Sequence, residues 1–251
     1  MKKIQTKQSE IDYPCRLNQE DKDWLFTKPF GNKNLDEPIR IFQDFSTILF
    51  LIHRHQLDAE KIIELGCGPG WLAIFLAKFD FRLTAYDISP EMIKISKMRN
   101  QQEGVGVNFK LLDIEDASDP TEFNQNDVVI IYDTLHHCRS DEAVLRNAVK
   151  YIKNNGILIL AEPNIIHQNS PCALRAIKRY GVTERGLKFS KLKNILKKNG
   201  LKKIWRYHAS GKNALPYHEG FFDTIKMIIY PFWERFFLGR KYHRIWIVAQ
   251  K

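Results

Sequence analysis

Short apolar segments alternate with segments of helical periodicity along the middle of the chain, and this alternation limits the fold more than any other feature. The segments KIIELG and RLTAYDI have the apolar, β-branched composition of buried strands, whereas GWLAIFLAKF and PEMIKISKMRNQ have helical spacing. Continuous apolar strands separated by helices are typical of a parallel sheet that is covered on both faces. The sequence therefore predicts an α/β fold.

The same alternation extends toward both ends of the chain. Further strands are predicted at VNFKLLD, DVVIIYD and ILILAEP, and later at LKKIWRYHA and YHRIWIVAQ. Further helices are predicted over residues 36–56, at KFSKLKNILKKNG and at DEAVLRNAVKYIKNNG, which Gly156 would close and Ser140 or Asp141 would cap. We interpret residues 1–58 as an N-terminal helical arm that packs on the core or closes over it as a lid. Residues 59–251 would form the main domain.

The segment ELGCGPG joins the first predicted strand to a helix. Glycines in such a turn let a ligand approach the backbone, and the N–H groups at the start of the helix can bind it. Asp87 ends the next strand, where a carboxylate can accept hydrogen bonds from ribose hydroxyls. Because the loop begins with a carboxylate, Glu64, it would repel a pyrophosphate but attract a sulfonium. This favours S-adenosylmethionine over a nicotinamide dinucleotide as the ligand.

The segments ELGCGPG, YDIS, LLDIED and DVVIIYDTLHH resemble the successive motifs of class I S-adenosylmethionine-dependent methyltransferases, especially the type 11 group. The resemblance covers roughly residues 62–163. It implies a Rossmann-like, seven-stranded, mostly parallel sheet with helices on both faces and an antiparallel final strand. S-adenosyl-L-methionine is therefore the cofactor that we expect.

The resemblance also assigns cofactor-binding roles by position. The glycines would wrap the methionine part of the cofactor, Asp87 would bind the ribose, and Asp113 would contact the adenine amino group. Asp133 would lie beside the methionine part, although aspartates at strand ends also serve simply as turn residues. The cofactor-binding positions are Glu64, Gly66, Gly68, Gly70, Asp87, Ile88, Asp113, Ile114 and Asp133.

Two adjacent histidines, His136 and His137, follow the fourth predicted strand, at the sheet edge where open α/β folds bind ligands. An imidazole suits the removal of a proton from a hydroxyl or amine near neutral pH. Either histidine is therefore a candidate catalytic base, and a purely structural role is the alternative.

The sequence gives weaker support to two possible metal sites than to the cofactor site. The resemblance leaves open a magnesium site at Asp133, Glu162 and Asn164, because some members bind magnesium through such residues. Histidine and cysteine suit zinc instead, but consecutive residues rarely converge on one ion. We therefore predict no metal site. The four cysteines are scattered without a paired spacing, which argues against disulfides and fits a reducing, cytoplasmic location.

The C-terminal third is strongly basic, with 19 Lys and Arg against four Asp and Glu over residues 172–251. Residues 209–240 within it are rich in aromatic side chains at helical spacing and are predicted to form a helical insertion between the last two strands, covering the acceptor site. A basic aromatic segment can also contact an anionic membrane peripherally, or it can simply pack. Nucleic acid is a less favoured partner.

From the sequence we expect an S-adenosylmethionine-dependent methyltransferase that acts on a small-molecule or lipid-linked acceptor, with oxygen preferred as the methylated atom. An RNA or other nitrogen methyltransferase is the alternative enzyme. A non-catalytic module that binds the cofactor or a membrane surface is the alternative outside enzymes.

Overall fold

A computed structural model describes residues 7–32, 34–116, 118–207 and 244–251. Residues 209–240, for which we predict the helical insertion, lie outside this part of the chain. The helices are α1 Lys7–Ile11, α2 Gln19–Thr27, α3 Asp36–His55, α4 Trp71–Ala77, α5 Pro90–Glu103, α6 Asp141–Tyr151, α7 Pro171–Tyr180 and α8 Phe189–Lys198. The strands are β1 Lys61–Leu65, β2 Arg82–Asp87, β3 Asn108–Leu111, β4 Asn126–Tyr132, β5 Ile152–Pro163, β6 Lys203–Tyr207 and β7 Arg244–Gln250.

The seven strands form one sheet in the order β3-β2-β1-β4-β5-β7-β6. The first five strands of the chain run parallel, and β7 is antiparallel to both β5 and β6. This arrangement confirms the predicted Rossmann-like, mostly parallel sheet. The strand order reverses between β1 and β4, and such a switch point opens a crevice for ligands at the carboxyl ends of the strands.

Successive residues of the central strands face two different hydrophobic cores. Ile62 of β1 and Val128 of β4 belong to the core under α3 and α4, whereas their neighbours Ile63 and Val129 belong to the core under α6 and α8. Each of these four side chains is fully buried. A strand with two buried faces has no polar alternation, so the apolar runs in the sequence predicted it correctly.

The helix that we predict over residues 141–156 is shorter in the structure, because α6 ends at Tyr151 and β5 begins at Ile152. The side-chain amide of Asn126 donates to the Tyr151 carbonyl at 3.0 Å and thereby satisfies a carbonyl at the helix end. Gly156 therefore does not close the helix. It lies in β5, where a Cβ would stand 2.9 Å from the Asn126 carbonyl oxygen. Ser140 caps α6 as predicted, accepting a hydrogen bond from the Ala143 N–H at 3.1 Å.

The N-terminal residues pack against the sheet edge where the site lies. Arg99 of α5 is 4% exposed and donates hydrogen bonds to three backbone carbonyls. Two of them, those of Leu25 and Lys28, belong to the N-terminal arm, and the third is that of Pro69 in the glycine-rich loop. The hydroxyl of Ser89 donates to the Ile11 carbonyl at 2.9 Å. These contacts fix α1 and α2 beside the glycine-rich loop. No helix in the described ranges is long and apolar enough to cross a membrane.

Candidate active site

A cavity of about 570 Å³ lies at the carboxyl ends of the parallel strands. Residues from the loops after β1, β2, β3 and β4 line it, together with residues from the N-terminal arm and from the loop between α7 and α8. Every sequence-predicted site residue except Gly70 contributes to this lining. The fold therefore brings together ten side chains and backbone positions that are spread over residues 64–137.

The three loop glycines adopt positive φ angles for different reasons. A Cβ at Gly66 would stand 2.0 Å from the Thr134 side chain, and one at Gly70 would stand 2.7 Å from Phe109. Gly66 and Gly70 are therefore required by packing. Gly68 has φ +52°, and no atom of the described residues lies within 4 Å of the place where its Cβ would stand, so the backbone here borders open space in the cavity that a ligand could approach.

Asp87 links the second strand to the glycine loop. Its carboxylate accepts hydrogen bonds from the Gly68 N–H at 2.8 Å and the Ser89 N–H at 2.9 Å. Burial raises the pKa of this carboxyl, against the lowering effect of the two backbone donors. Each carboxylate oxygen has two lone pairs, so both can still accept hydrogen bonds from ribose hydroxyls.

Glu64 is only 2% exposed, and its Oε2 atom has no hydrogen-bond partner among the described residues. Burial raises the pKa of this carboxyl well above its usual range despite a hydrogen bond from the Ala73 N–H, and the charge of Asp87 raises it further. Such an orphaned carboxyl oxygen is costly unless a ligand supplies a donor or a positive charge. The cationic groups of S-adenosylmethionine fit this requirement.

Asp113 and Ile114 lie in the loop after β3, and a residue of the N-terminal arm joins them there. The ammonium of Lys7 is 2.6 Å from the Asp113 carboxylate, which also accepts a hydrogen bond from the Glu115 N–H at 3.0 Å. Ile114 is 7% exposed and lines the cavity. Lys7 precedes every motif in the sequence, so no local pattern indicates its contact with this loop.

Asp133 forms a two-point ion pair with Arg244, at 3.0 Å from Nη1 and 2.9 Å from Nη2. Burial raises the pKa of the Asp133 carboxyl, but the charges of Arg244 and Arg40 outweigh this effect and hold that pKa well below its usual range. Arg244 also lies 3.0 Å from Asp44, and Arg40 donates to the Tyr132 hydroxyl at 3.0 Å. Asp133 therefore lines the cavity as part of a charged network, and its contact with the cofactor stays a prediction.

His136 and His137 lie in a short 3-10 turn, with their ring centroids 3.9 Å apart. His136 is buried, and its Nδ1 lies 2.8 Å from Oε2 of the fully buried Glu162. The Nδ1 of His137 lies 2.6 Å from the Thr183 carbonyl oxygen. Because a carboxylate and a carbonyl can only accept, both rings carry a hydrogen on Nδ1, and in its neutral form each ring has its lone pair on Nε2.

Glu162 organises this turn. Its carboxylate accepts hydrogen bonds from the backbone N–H groups of Thr134 and Leu135, each at 2.8 Å, besides the one from His136. The Asn164 side chain meanwhile accepts from the Ile166 N–H at 2.9 Å. The oxygens of Glu162 are thus directed at the histidine turn, which argues against the magnesium reading of Asp133, Glu162 and Asn164.

A further carboxylate, Glu184, completes the surroundings of the histidines. Its Oε2 lies 2.7 Å from Nε2 of His167 and 3.6 Å from Nε2 of His136. Glu184 follows α7, a helix that our sequence reasoning did not predict. It is 47 positions from His137, so only the tertiary fold reveals this neighbourhood.

The sheet order and the cavity at its carboxyl edge are those of the class I methyltransferases. Residues 56–218, more than half of the chain, match a family model described as a methyltransferase domain. The chain therefore belongs to this family of S-adenosylmethionine-dependent methyltransferases.

Curated relatives share part of the chain. The Ubiquinone biosynthesis O-methyltransferase of Xanthomonas euvesicatoria pv. vesicatoria (strain 85-10) is 29% identical over 113 residues, which are 44% of this chain and 46% of the relative. That of Xanthomonas campestris pv. campestris (strain B100) is 27% identical over 117 residues, covering 46% and 48%. The chain thus spans about half the length of the curated relatives it matches.

Solved structures resemble the fold over most of its length. Magnesium protoporphyrin IX methyltransferase from Synechocystis PCC 6803 with bound SAH superposes with a TM-score of 0.65 at 17% identity, covering 97% of this chain and 99% of that one. An S-adenosylmethionine-dependent methyltransferase from Mesorhizobium loti gives a TM-score of 0.60 at 12% identity, covering 83% and 100%. At these identities the likeness extends to the fold alone.

Proposed function

We propose that this protein transfers the methyl group of S-adenosylmethionine to a hydroxyl oxygen of a small-molecule or lipid-linked acceptor. The observation that carries the proposal is one cavity whose lining joins the glycine loop, Asp87 and the paired imidazoles. The naming of the matched relatives as O-methyltransferases supports oxygen as the acceptor atom.

In the proposed reaction the acceptor oxygen attacks the methyl carbon in line with the carbon–sulfur bond. The oxygen–carbon bond forms as the carbon–sulfur bond breaks, and its electron pair stays on sulfur, which becomes a neutral thioether. The hydroxyl proton passes to a lone pair at Nε2 of His136 or His137. Much of the rate would come from holding the two reactants in this geometry.

Glu162 gives His136 the orientation that this role needs. With Nδ1–H held by the buried carboxylate, the ring cannot turn its lone pair away from the Glu184 side, where the cavity lies. His137 is the more accessible base, because its side chain is 33% exposed whereas that of His136 is 4% exposed. If one of these two histidines is the base, its replacement by alanine should abolish turnover and leave the affinity for the cofactor unchanged.

The test is incubation of the protein with methyl-labelled S-adenosylmethionine and, separately, with lipid, RNA and small-metabolite extracts. Label should enter the lipid or small-metabolite fraction and should resist mild alkaline hydrolysis, as expected for a methyl ether. Asp87→Ala serves as the control that lacks a cofactor contact, and it should transfer no label. Label that enters RNA, or only amino groups, would favour the nitrogen methyltransferase instead.

A lipid-linked acceptor would bring the protein to a membrane surface. The basic C-terminal third suits peripheral contact of an otherwise cytoplasmic protein with anionic lipid. Sedimentation with anionic vesicles at low salt should then carry the protein down, and neutral vesicles should not. Equal recovery with both kinds of vesicle would contradict the membrane contact.

A further inference from the structure

The side chains of His136, His137 and Glu184 converge at one wall of the cavity. Each offers one ligand atom, and these three atoms lie within 4.8 Å of one another. Two imidazoles and a carboxylate form a donor set that zinc enzymes use, with a fourth position left open. We propose that these three residues bind a zinc ion.

The tautomers of both histidines suit this role. Nδ1 of His136 is held by Glu162, and Nδ1 of His137 is held by the Thr183 carbonyl. Metal-binding histidines characteristically donate their second ring N–H to a carboxylate or a backbone carbonyl, which fixes the ring and increases the basicity of the ligating nitrogen. Both outer partners are therefore of the kinds that support a metal ligand, and both leave Nε2 for the ion.

Glu184 is held as an anionic donor. Its Oε2 accepts from His167 Nε2 at 2.7 Å, so the oxygen is oriented by an outer partner in the same way as the two rings. A second carboxylate, Glu10, lies 3.7 Å from Nδ1 of His137 and adds negative charge near the ion.

The separation of the donors is compatible with one ion after small side-chain rotations. Zinc bonds of about 2.0–2.1 Å in a tetrahedral arrangement place ligand atoms roughly 3.4 Å apart. Nε2 of His136 and Oε2 of Glu184 are already 3.6 Å apart. The sequence disfavoured a metal because consecutive residues rarely converge on one ion. The two rings are tilted by 39° to each other, and one ligand atom from each lies within 4.8 Å of the Glu184 carboxylate, which answers that objection.

The donor chemistry favours zinc over magnesium or calcium. Those two ions prefer sites built from oxygen ligands, whereas imidazole suits zinc and other transition metals. A zinc ion here would lie in the cavity that we assign to methyl transfer, with an open position for water or an acceptor hydroxyl. With zinc bound, the two imidazoles would be ligands instead of proton acceptors. The ion would then replace them in activating the acceptor, because a hydroxyl bound to zinc ionises at a lower pH than a free one.

Direct metal binding tests the inference without any acceptor. Full-length protein freed of metal by a chelator is titrated with zinc against a chromophoric competitor, and separately with cobalt as a spectroscopic substitute. We expect one zinc per chain and cobalt d–d absorption of tetrahedral intensity. A stoichiometry well below one, or tighter binding of magnesium than of zinc, would overturn the proposal. So would a cobalt–thiolate band, because it would assign the metal to a cysteine.

Two ligand variants and one control locate the ion. His137→Ala and Glu184→Gln should each weaken zinc binding by about 100-fold, at least the loss that outer-sphere changes cause. His53→Ala removes an exposed imidazole of α3 outside the cluster and should leave the affinity unchanged. Equal affinity in all three variants would refute the site. Circular dichroism spectra and melting temperatures establish that the variants are folded. Because the readout is metal binding and not turnover, failure here leaves the proposed methyl transfer standing.

Discussion

Replacing Gly68 by alanine adds one methyl group where the glycine-rich loop faces the cavity. At φ +52° a residue with a Cβ is strained by about 1–2 kcal/mol. No atom of the described residues lies within 4 Å of the added carbon, so backbone strain is the cost that we expect in the free protein. For a chain of this size each kcal/mol corresponds to a fall of about 2–4 °C in melting temperature. The hydrogen bond from the Gly68 N–H to Asp87 survives, because alanine keeps its N–H.

Gly104→Ala is the matched control. Gly104 follows α5 as its C-cap residue with φ +65° and does not line the cavity. No atom of the described residues lies within 4 Å of the place where its Cβ would stand. Both variants should therefore lose similar stability, but only Gly68→Ala should lose cofactor affinity. We expect a decrease of at least about 10-fold, or 1.4 kcal/mol, in calorimetric titrations with S-adenosylmethionine.

The pair of variants separates a ligand contact from a folding effect. If Gly68→Ala binds S-adenosylmethionine as tightly as Gly104→Ala does, the cofactor does not approach the loop at Gly68. The open space beside Gly68 would then not be a position that the ligand occupies.

Two further predictions concern carboxylates. Asp133→Asn should lower the free energy of unfolding at pH 7 by about 3 kcal/mol, because it breaks a partly buried ion pair while Arg244 keeps Asp44. Since the folded-state pKa of Asp133 is lowered, the stabilisation is present above its unfolded pKa and is lost as the pH falls below about 4. Urea titrations that show a constant difference between pH 7 and pH 3 would contradict this. Binding of the cationic cofactor should favour the charged form of Glu64, whose pKa burial raises in the free protein, so binding should release protons over the pH range in which Glu64 titrates, and Glu64→Gln should abolish the release. Proton release would be excluded if the wild type bound the cofactor with the same enthalpy in buffers of different ionisation enthalpy.

The sheet could be predicted because its signal is local. Ile62 and Ile63 are both buried in different cores, so β1 has no polar face and its apolar run is visible in the sequence. The end of α6 could not be predicted, because it depends on a hydrogen bond from Asn126, 25 residues earlier. The helix α7 does have apolar residues at helical spacing, Ala173, Ile177 and Tyr180, so its signal was present in the sequence and our prediction missed it.

The site could be predicted in part for the same reason. The residues at or shortly after strand ends, such as Asp87 and His136, were predicted from their positions, and the fold places them around one cavity. Their partners come from distant segments. Arg244 is 111 residues from Asp133 and Thr183 is 46 residues from His137, and only the folded chain brings these pairs together.

The carboxyl group of Glu64, near the end of β1, and that of Asp133, just after β4, lie in different electrostatic surroundings. Asp133 is neutralised by Arg244 and Arg40, whereas Glu64 has an oxygen without a hydrogen-bond partner among the described residues. A positive group entering the cavity therefore meets an unsatisfied acceptor at Glu64, whereas the charges of Arg40 and Arg244 are balanced by Asp44 and Asp133. S-adenosylmethionine carries both kinds of charge, and a pyrophosphate carries only the kind that Glu64 opposes. The spacing of the glycines shapes the loop, and we expect the Glu64 carboxyl, with one oxygen unpartnered among the described residues, to favour a sulfonium over a pyrophosphate.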